Sequence, residues 1–493
     1  MEKSLYEKTV SETTKMLVSS VVMFILQFGS IVILARIYSP NEFGILSKIT
    51  IITSFADVFC QLGLGQAVVQ KKKASQQDYD TVSSSAMVLG IITSLVVFVL
   101  ASPISNLVRI NNSLYLRIIS PAFFITSLSV LPLARAQREM RFGIIVRKDI
   151  VSYLLYLFVC VICGVFGFGI IGLVVGLLVK YVVATIIALL SVKKSFSFKF
   201  YKESFKGMLN FGVGFSLCKI CSVATDQSDY YAIARKLNNN DLGFYNKAFQ
   251  LISTPISLIG QGVDQVFFSS FSKIQDDEKR IGDLFVSISA IISVISMFAS
   301  ICIFYFSGII TLVLFGNNWI DSAMPISLLS IAIFFRASIK ITDPIMRAKG
   351  YVYKRALFHC INTIVTVVAA MVGSSWGLMG VSFGVVIAQV INYLMNVFYV
   401  SIKFRIDLKR YCVTSVPCVV FTMAVCAFGW LSSVLAKTWK GEYNSHIIII
   451  SFGVLVLALV FGIITYRFIF DDEICNEISR FTGVLKKMIK KKE

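Results

Sequence analysis

Apolar runs of about 20 residues recur from one end of the chain to the other, and this is the length an α-helix needs to cross a bilayer. A chain of 493 residues that is 56% hydrophobic has little apolar content left for a soluble core. We therefore predict an all-α polytopic membrane protein of about fourteen spans. The predicted spans are 15–37, 44–70, 82–105, 114–134, 149–168, 170–192, 207–235, 242–271, 284–306, 321–346, 355–373, 376–401, 412–435 and 445–469.

The net charge of +20 indicates topology rather than nucleic-acid binding. Lys and Arg concentrate in every second connection between predicted spans, and cytoplasmic connections carry such an excess. Both termini are then expected in the cytoplasm, with the first span uncleaved because its apolar run is too long for a signal peptide. The tail 471–493 is expected to be an amphipathic helix lying on anionic lipid.

An internal repeat relates the two halves of the chain. LARIYSPNEFGILSK (34–48) aligns without gaps to IARKLNNNDLGFYNK (233–247). Five pairs are identical: Ala35/Ala234, Arg36/Arg235, Asn41/Asn240, Gly44/Gly243 and Lys48/Lys247. In the first copy, Ser39 is placed to cap a new helix with Glu42 reaching back, and Asn238 is placed to do so in the second.

The repeat unit contains six predicted spans, so the two copies have the same orientation in the membrane. This predicts one six-helix lobe over 1–200, a second over 201–405, two additional spans over 406–470 and the basic tail over 471–493. Two lobes related by an axis normal to the membrane are typical of transporters, whose substrate site lies between the lobes.

Ionisable side chains inside predicted spans are costly and therefore indicate function. The seventh span carries Lys219, Asp226 and Asp229, and spacings of seven and three place them on one helical face. Two carboxylates one turn apart suit a coupling proton or Na⁺, so Asp226 and Asp229 are the predicted ion-coupling residues. A neutral pair of Lys219 with Asp226 that fixes helix packing is the alternative.

The tenth span carries a second charged stripe, which includes Arg336 and Lys340. Such cations suit an anionic substrate such as a diphosphate. For Arg36 and Arg235, at equivalent ends of the first and seventh spans, snorkelling or helix capping remains an alternative. The predicted substrate-binding residues are Arg36, Asp57, Lys180, Lys219, Arg235, Arg336 and Lys340.

We do not expect an enzyme, because the chain has no GxxxxGK[ST] loop and no HExxH. The pattern GxSxG occurs at 373–377 and 380–384, but both matches lie at or inside predicted spans and not at a strand-to-helix turn. The CxxC pairs at 160–163 and 218–221 fall inside predicted spans and are expected to be inert thiols. We expect no cofactor and no bound metal beyond a coupling H⁺ or Na⁺.

Several segments resemble one family of exporters. These are SPNEFG (39–44), AQREMRF (136–142), DQSDYYAIARKL (226–237) and LGFYNKAFQL (242–251). They are similar to segments of the Wzx-type lipid-linked oligosaccharide flippases, in particular the colanic-acid and teichuronic-acid exporter branch. This family belongs to the multidrug/oligosaccharidyl-lipid/polysaccharide superfamily.

The resemblance implies two six-helix bundles around a cavity in a bacterial inner membrane, with two further C-terminal helices. It implies an oligosaccharide on undecaprenyl diphosphate as substrate, flipped by alternating access for surface polysaccharide biosynthesis. Membrane lipids, a polysaccharide polymerase and glycosyltransferases are the expected partners. A cation-coupled multidrug antiporter of the same fold is the alternative within transport, and a glycosyl polymerase or an assembly scaffold are the alternatives outside it.

Overall fold

The computed structural model describes residues 2–71, 74–139, 141–191, 198–273, 278–348, 351–404 and 408–438. In these ranges the chain is helical, with two short 3₁₀ segments and no strand. The α-helices in chain order are α1 Glu2–Ile37, α2 Pro40–Gln61, α3 Leu64–Gln70, α4 Gln76–Val99, α5 Ala101–Leu107, α6 Leu114–Ile119, α7 Pro121–Leu128, α8 Val130–Arg138, α9 Phe142–Val165, α10 Ile170–Ser191, α11 Lys202–Lys236, α12 Asn239–Lys273, α13 Glu278–Leu314, α14 Ala323–Ser330, α15 Ile333–Ala348, α16 Val352–Gly373, α17 Gly377–Lys403 and α18 Leu408–Thr438.

The all-α polytopic fold class is confirmed. Nine helical runs in the described ranges are long and apolar enough to cross a membrane, or up to eleven if two bent pairs count as one span each. One of the nine, Lys354–Lys403, has 50 residues and contains both α16 and α17, which is enough for two crossings of about 20 residues. The predicted count of about fourteen is not reached in these ranges. The predicted last span (445–469) and the tail (471–493) lie outside the described residues.

Four of the predicted spans are divided between helices in the structure, namely 44–70, 82–105, 114–134 and 321–346. The run 44–70 was expected to be one helix, but α2 ends at Gln61 and α3 begins at Leu64. Between them Leu62 and Gly63 both have positive φ, and a Cβ on Gly63 would meet the backbone carbonyl of Gly212 at 2.5 Å. The run 321–346 is likewise divided, between α14 and α15.

The helix starts in the repeat are capped as predicted. Ser39 accepts a hydrogen bond from the Glu42 amide, and its own amide donates to the Glu42 carboxylate at 2.7 Å, with Pro40 at the first helical position. In the second copy, the Asp241 amide donates to the Asn238 side chain at 2.8 Å. Each cap satisfies an amide that would otherwise lack a partner at a helix N-terminus.

The chain forms two compact units. The first contains the described residues through Thr254, together with Leu314–Trp319 and Thr363–Val381. Its apolar packing includes a cluster of α3, α4, α8 and α11 side chains around Leu64, Val68 and Val82.

The second unit contains Pro255–Val313, Ile320–Asn362 and the described residues from Ser382 onward. In it α13 packs on α18 through Met297, Ile301 and Cys418. The division into lobes at 200/201 and 405/406 stays a prediction.

Candidate functional site

The two copies of the repeat meet each other inside the first unit. We call residues 36–48 and 235–247 the turn pair. A Cβ on Gly44 would overlap the backbone carbonyl of Asn239, and a Cβ on Gly243 would overlap the backbone carbonyl of Pro40. The contact is therefore reciprocal, and each helix N-terminus lies directly on the backbone of the other because both positions are glycine.

Lys48 joins the two turns by hydrogen bonds. Its side chain is buried, and Nζ donates to the Asn239 side-chain oxygen at 2.6 Å and to the Arg109 carbonyl at 2.8 Å. Charge-assisted hydrogen bonds of this kind are stronger than neutral ones. Lys48 thus ties the first turn both to the second and to the chain just after α5.

Lys247, the repeat equivalent of Lys48, has aromatic partners instead. It is 1% exposed, and Nζ lies 3.6 Å from the centre of the Phe43 ring and 5.9 Å from that of Trp319. A backbone oxygen, that of Ile31, lies at 3.4 Å. Cation–π attraction is stronger where water is excluded, so these ring faces compensate part of the cost of burying the charge.

Trp319 closes the turn pair from one side. The indole is fully buried, donates from Nε1 to the Ala35 carbonyl at 2.7 Å, and makes edge contacts with the rings of Phe43 and Phe244. One side chain therefore contacts residues from both copies of the repeat.

Arg36 and Arg235 occupy equivalent places at the ends of α1 and α11. Arg36 Nε donates to the carbonyl of Leu314, the last residue of α13, at 3.2 Å. Arg235 donates to the carbonyl of Leu107, the last residue of α5, at 3.4 Å. Cations at helix C-termini interact favourably with the helix dipole, so both arginines cap helices here. Their predicted role in substrate binding stays a prediction.

Two predicted residues, Asp57 on α2 and Lys180 on α10, lie within electrostatic range of each other. Asp149 is a further carboxylate neighbour of Lys180, and the Tyr181 hydroxyl faces Asp57. Lys180 also lies over the Tyr153 ring, 5.4 Å from its centre. Both side chains are partly buried, and a carboxylate and an ammonium with phenolic neighbours in such a place can hold or exchange a proton.

The three charged residues of α11 do not share one environment. Lys219 and Asp226 are exposed, whereas Asp229 is 3% exposed. Asp229 accepts hydrogen bonds from the Tyr245 hydroxyl at 2.6 Å and from the Tyr230 amide at 2.9 Å. The helical spacing placed these residues on one face, but packing against α12 covers only the Asp229 end of that face.

Arg336 and Lys340 lie on α15 in the second unit. Arg336 is partly buried and Lys340 is exposed. Within the described residues, no group of three His, Cys, Asp or Glu side chains could hold a metal ion.

Sequence reasoning did not assign a role to Gly44, Gly243, Lys48, Lys247 or Trp319. For the first four the signal was present, because both pairs are identical between the repeat copies. Trp319 lies outside the repeated segments, and nothing in its sequence context indicates the contact with Ala35.

Comparison with known proteins agrees with this architecture. An uncharacterized membrane protein of the cps region of Klebsiella pneumoniae is 27% identical over 402 residues, 80% of this chain and 83% of that protein. The lipopolysaccharide biosynthesis protein WzxC of Escherichia coli (strain K12) is 25% identical over 407 residues, 81% of this chain and 82% of that protein.

A solved structure of the lipid II flippase MurJ in an inward closed conformation has the same fold. It superposes with a TM-score of 0.72 at 14% identity and covers 91% of this chain and 98% of its own. A family model described as "Polysaccharide biosynthesis protein" matches residues 33–324, more than half of the chain and including both turns of the turn pair. The chain therefore belongs to the polysaccharide biosynthesis protein family.

Proposed function

We propose that this protein is a flippase that moves an oligosaccharide linked to undecaprenyl diphosphate across the bacterial inner membrane for surface polysaccharide biosynthesis. Family membership and the similarity to WzxC, a lipopolysaccharide biosynthesis protein, support this substrate class. The observation that carries the mechanism is the turn pair, where two copies of one repeat close on each other through Gly44 and Gly243.

A reciprocal contact suits a gate, because its two halves form or break together. While the turns touch, a polar headgroup has no route between them. Parting the turns requires loss of the two backbone contacts and of the bond between Lys48 and Asn239. In alternating access, the end of the protein at the turn pair opens when the opposite end closes, and closes when the opposite end opens. The hydrophobic polyprenyl tail stays in lipid throughout.

Exposed cations on membrane-spanning helices support an anionic headgroup. Lys219 on α11 and Lys340 on α15 are exposed, and Arg336 is half-buried. Exposure of these groups to hydrocarbon would be costly, so we propose that each of them faces water and can bind the diphosphate. Asp57 and Lys180 are proposed to bind the sugar or to adjust the charge beside it.

Cation coupling is assigned to Asp226 and Asp229. Asp229 holds two hydrogen-bond donors in a site covered by Tyr230 and Tyr245, and Asp226 is exposed one turn away. A proton or Na⁺ reaching Asp226 from water could bias the position of α11 relative to α12 through the Tyr245 contact. We propose that both termini lie in the cytoplasm, because Lys and Arg concentrate in every second connection, and the turn pair then lies at the periplasmic end.

Transport rather than catalysis is the proposed activity, with the polymerase and the glycosyltransferases acting before and after it. Deleting the gene should remove one surface polysaccharide and leave its lipid-linked unit in the membrane, detected by mass spectrometry of polyprenyl-linked sugars. The wild-type gene should restore the polysaccharide, and Lys219→Ala should restore less of it. Normal surface polysaccharide in a strain without paralogues, combined with a new sensitivity to cationic drugs, would instead favour a multidrug antiporter.

A further inference from the structure

A cavity of about 300 Å³ opens where α9 begins and α10 ends. Its walls include Arg141, Gly143, Ile144, Arg147, Ile187 and Leu190. None of these residues belongs to the turn pair or to the charged groups proposed for transport. The cavity combines two guanidinium groups with apolar side chains, which is a composition suited to an amphipathic anion.

The guanidinium N–H groups of both arginines are available to bind a ligand. Arg147 is exposed and has no ion-pair partner in the described part of the chain. Arg141 lies 3.7 Å from Glu139, but both side chains are about half exposed, and pairs of this kind contribute little. A Cβ on Gly143 would meet no atom within 4 Å, so the space between the arginines is open.

The cavity lies at the edge of an apolar helix surface. Along α9, Leu154, Phe158 and Ile162 are exposed, and along α10 Ile186 and Leu190 are exposed, the latter by 83%. On membrane-spanning helices such a surface faces acyl chains. Arg141 and Arg147 lie at the start of α9, where this surface ends. The ends of a membrane-spanning helix are the parts expected near lipid headgroups.

Its two walls cannot move apart easily. α9 and α10 pack along their lengths, and a Cβ on Gly172 or Gly176 would overlap side-chain atoms of Cys163 or Cys160. A transport site must change the side from which it is reached, whereas a cavity between two tightly packed neighbouring helices of one unit keeps one access. The chemistry therefore fits a resident ligand rather than the transported one.

We propose that this cavity binds the phosphate of an anionic glycerophospholipid, with the acyl chains lying along α9 and α10. Guanidinium groups bind phosphate oxygens through paired charge-assisted hydrogen bonds, and basic pockets between membrane helices bind anionic headgroups. Arg141 and Arg147 hold the phosphate, and Ile187 and Leu190 contact the first methylenes of the chains.

The test uses the purified full-length protein in a neutral detergent, with bound lipid counted by native mass spectrometry during titration with phosphatidylglycerol or phosphatidylcholine. We expect phosphatidylglycerol to bind preferentially and Arg141→Gln/Arg147→Gln to weaken it about 30-fold. The control, Lys202→Gln/Lys206→Gln, removes two exposed charges from the start of α11 and should bind as the wild type does.

A second variant tests the cavity without a change of charge. Gly143→Leu has room for its side chain, fills the space between the arginines and should also weaken phosphatidylglycerol binding. Equal binding of phosphatidylcholine, an equal loss in the lysine control, or unchanged binding in Gly143→Leu would overturn the proposal. So would displacement of phosphatidylglycerol by equimolar undecaprenyl phosphate or by millimolar inorganic phosphate, which would identify another phosphate source.

Discussion

The two turns of the turn pair have the same backbone contact and different lysine partners. Gly44 and Gly243 are used in the same way, each lying on the backbone of the opposite turn. Lys48, however, donates to two oxygens at 2.6 and 2.8 Å, whereas Lys247 lies over rings and has one longer bond, to the Ile31 carbonyl at 3.4 Å.

Two sequence differences between the repeat copies account for this. Lys48 faces Asn239, whose side chain accepts its hydrogen bond, whereas the equivalent residue near Lys247 is Pro40, which has no such acceptor. Lys247 faces Phe43, whereas the residue equivalent to Phe43 in the second copy is Leu242, which has no ring. The close backbone approach is thus common to both copies, and the side chains that secure it have diverged.

The largest effect is expected at the glycines, and it should be equal for both. Gly44→Leu and Gly243→Leu each insert a side chain where the opposite backbone lies. Overpacking of this kind costs about 1–3 kcal/mol, enough to shift a closing equilibrium about tenfold. Surface polysaccharide in complemented cells should fall about tenfold or more for both.

Gly308→Leu is the matched control, since a Cβ there meets nothing within 4 Å, and it should behave as the wild type does. A loss with only one of the two turn-pair variants would show that the contact is not functionally reciprocal.

Asp229 should affect ion coupling, whereas Ser30, the residue at the equivalent position in the first half of the chain, should not. Asp229 aligns with Ser30, whose hydroxyl lies 2.5 Å from that of Tyr153. Asp229→Asn keeps an acceptor for Tyr245 but removes the charge. Transport driven by a pH or Na⁺ gradient in vesicles should fall severalfold, with little change in thermal stability.

Ser30→Ala should leave the gradient dependence unchanged. Asp229→Asn vesicles that still respond fully to both gradients would remove Asp229 from the coupling site.

Replacement of Lys48 should lower the unfolding free energy more than replacement of Lys247 does. Lys48→Met removes two short charge-assisted hydrogen bonds, to the Asn239 side chain and the Arg109 carbonyl, which costs about 1–3 kcal/mol. Lys247→Met loses the long bond to the Ile31 carbonyl, but it places a thioether on the same rings and removes a buried charge, so the change in unfolding free energy should stay within about 1 kcal/mol. Thermal melts of the purified variants measure both, and a larger drop for Lys247→Met would reverse the comparison.

The helix caps should give the smallest effects. Ser39→Ala loses both bonds of a capping box, and Asn238→Ala loses the bond from the Asp241 amide. Each should lower the unfolding free energy by about 1 kcal/mol, with Ser39→Ala at least as costly. Equal surface polysaccharide in both variants and the wild type would confirm that the caps support the turns without setting transport.

The sequence predicted what depends on local patterns. The apolar runs gave the all-α membrane fold, and the capping residues gave the starts of α2 and α12. It did not predict the break at Leu62 and Gly63, because that break depends on a contact with the distant Gly212. The partners of Lys48 and Lys247 could not be predicted for the same reason. Helical periodicity shows on which face of a helix a residue lies, but not which distant residue packs against that face. The burial of Asp229 beside exposed Asp226 likewise depends on where α12 packs.

Transport by the purified protein tests the central claim most directly. The full chain is reconstituted into vesicles with the lipid-linked oligosaccharide extracted from the deletion strain, and the fraction accessible to a membrane-impermeant oxidant of sugars is followed with time. We expect the sugar to exchange between leaflets much faster than in protein-free vesicles, and the Gly44→Leu protein to lose this acceleration. Exchange no faster than in protein-free vesicles, or equally fast with Gly44→Leu, would contradict a flippase gated by the turn pair.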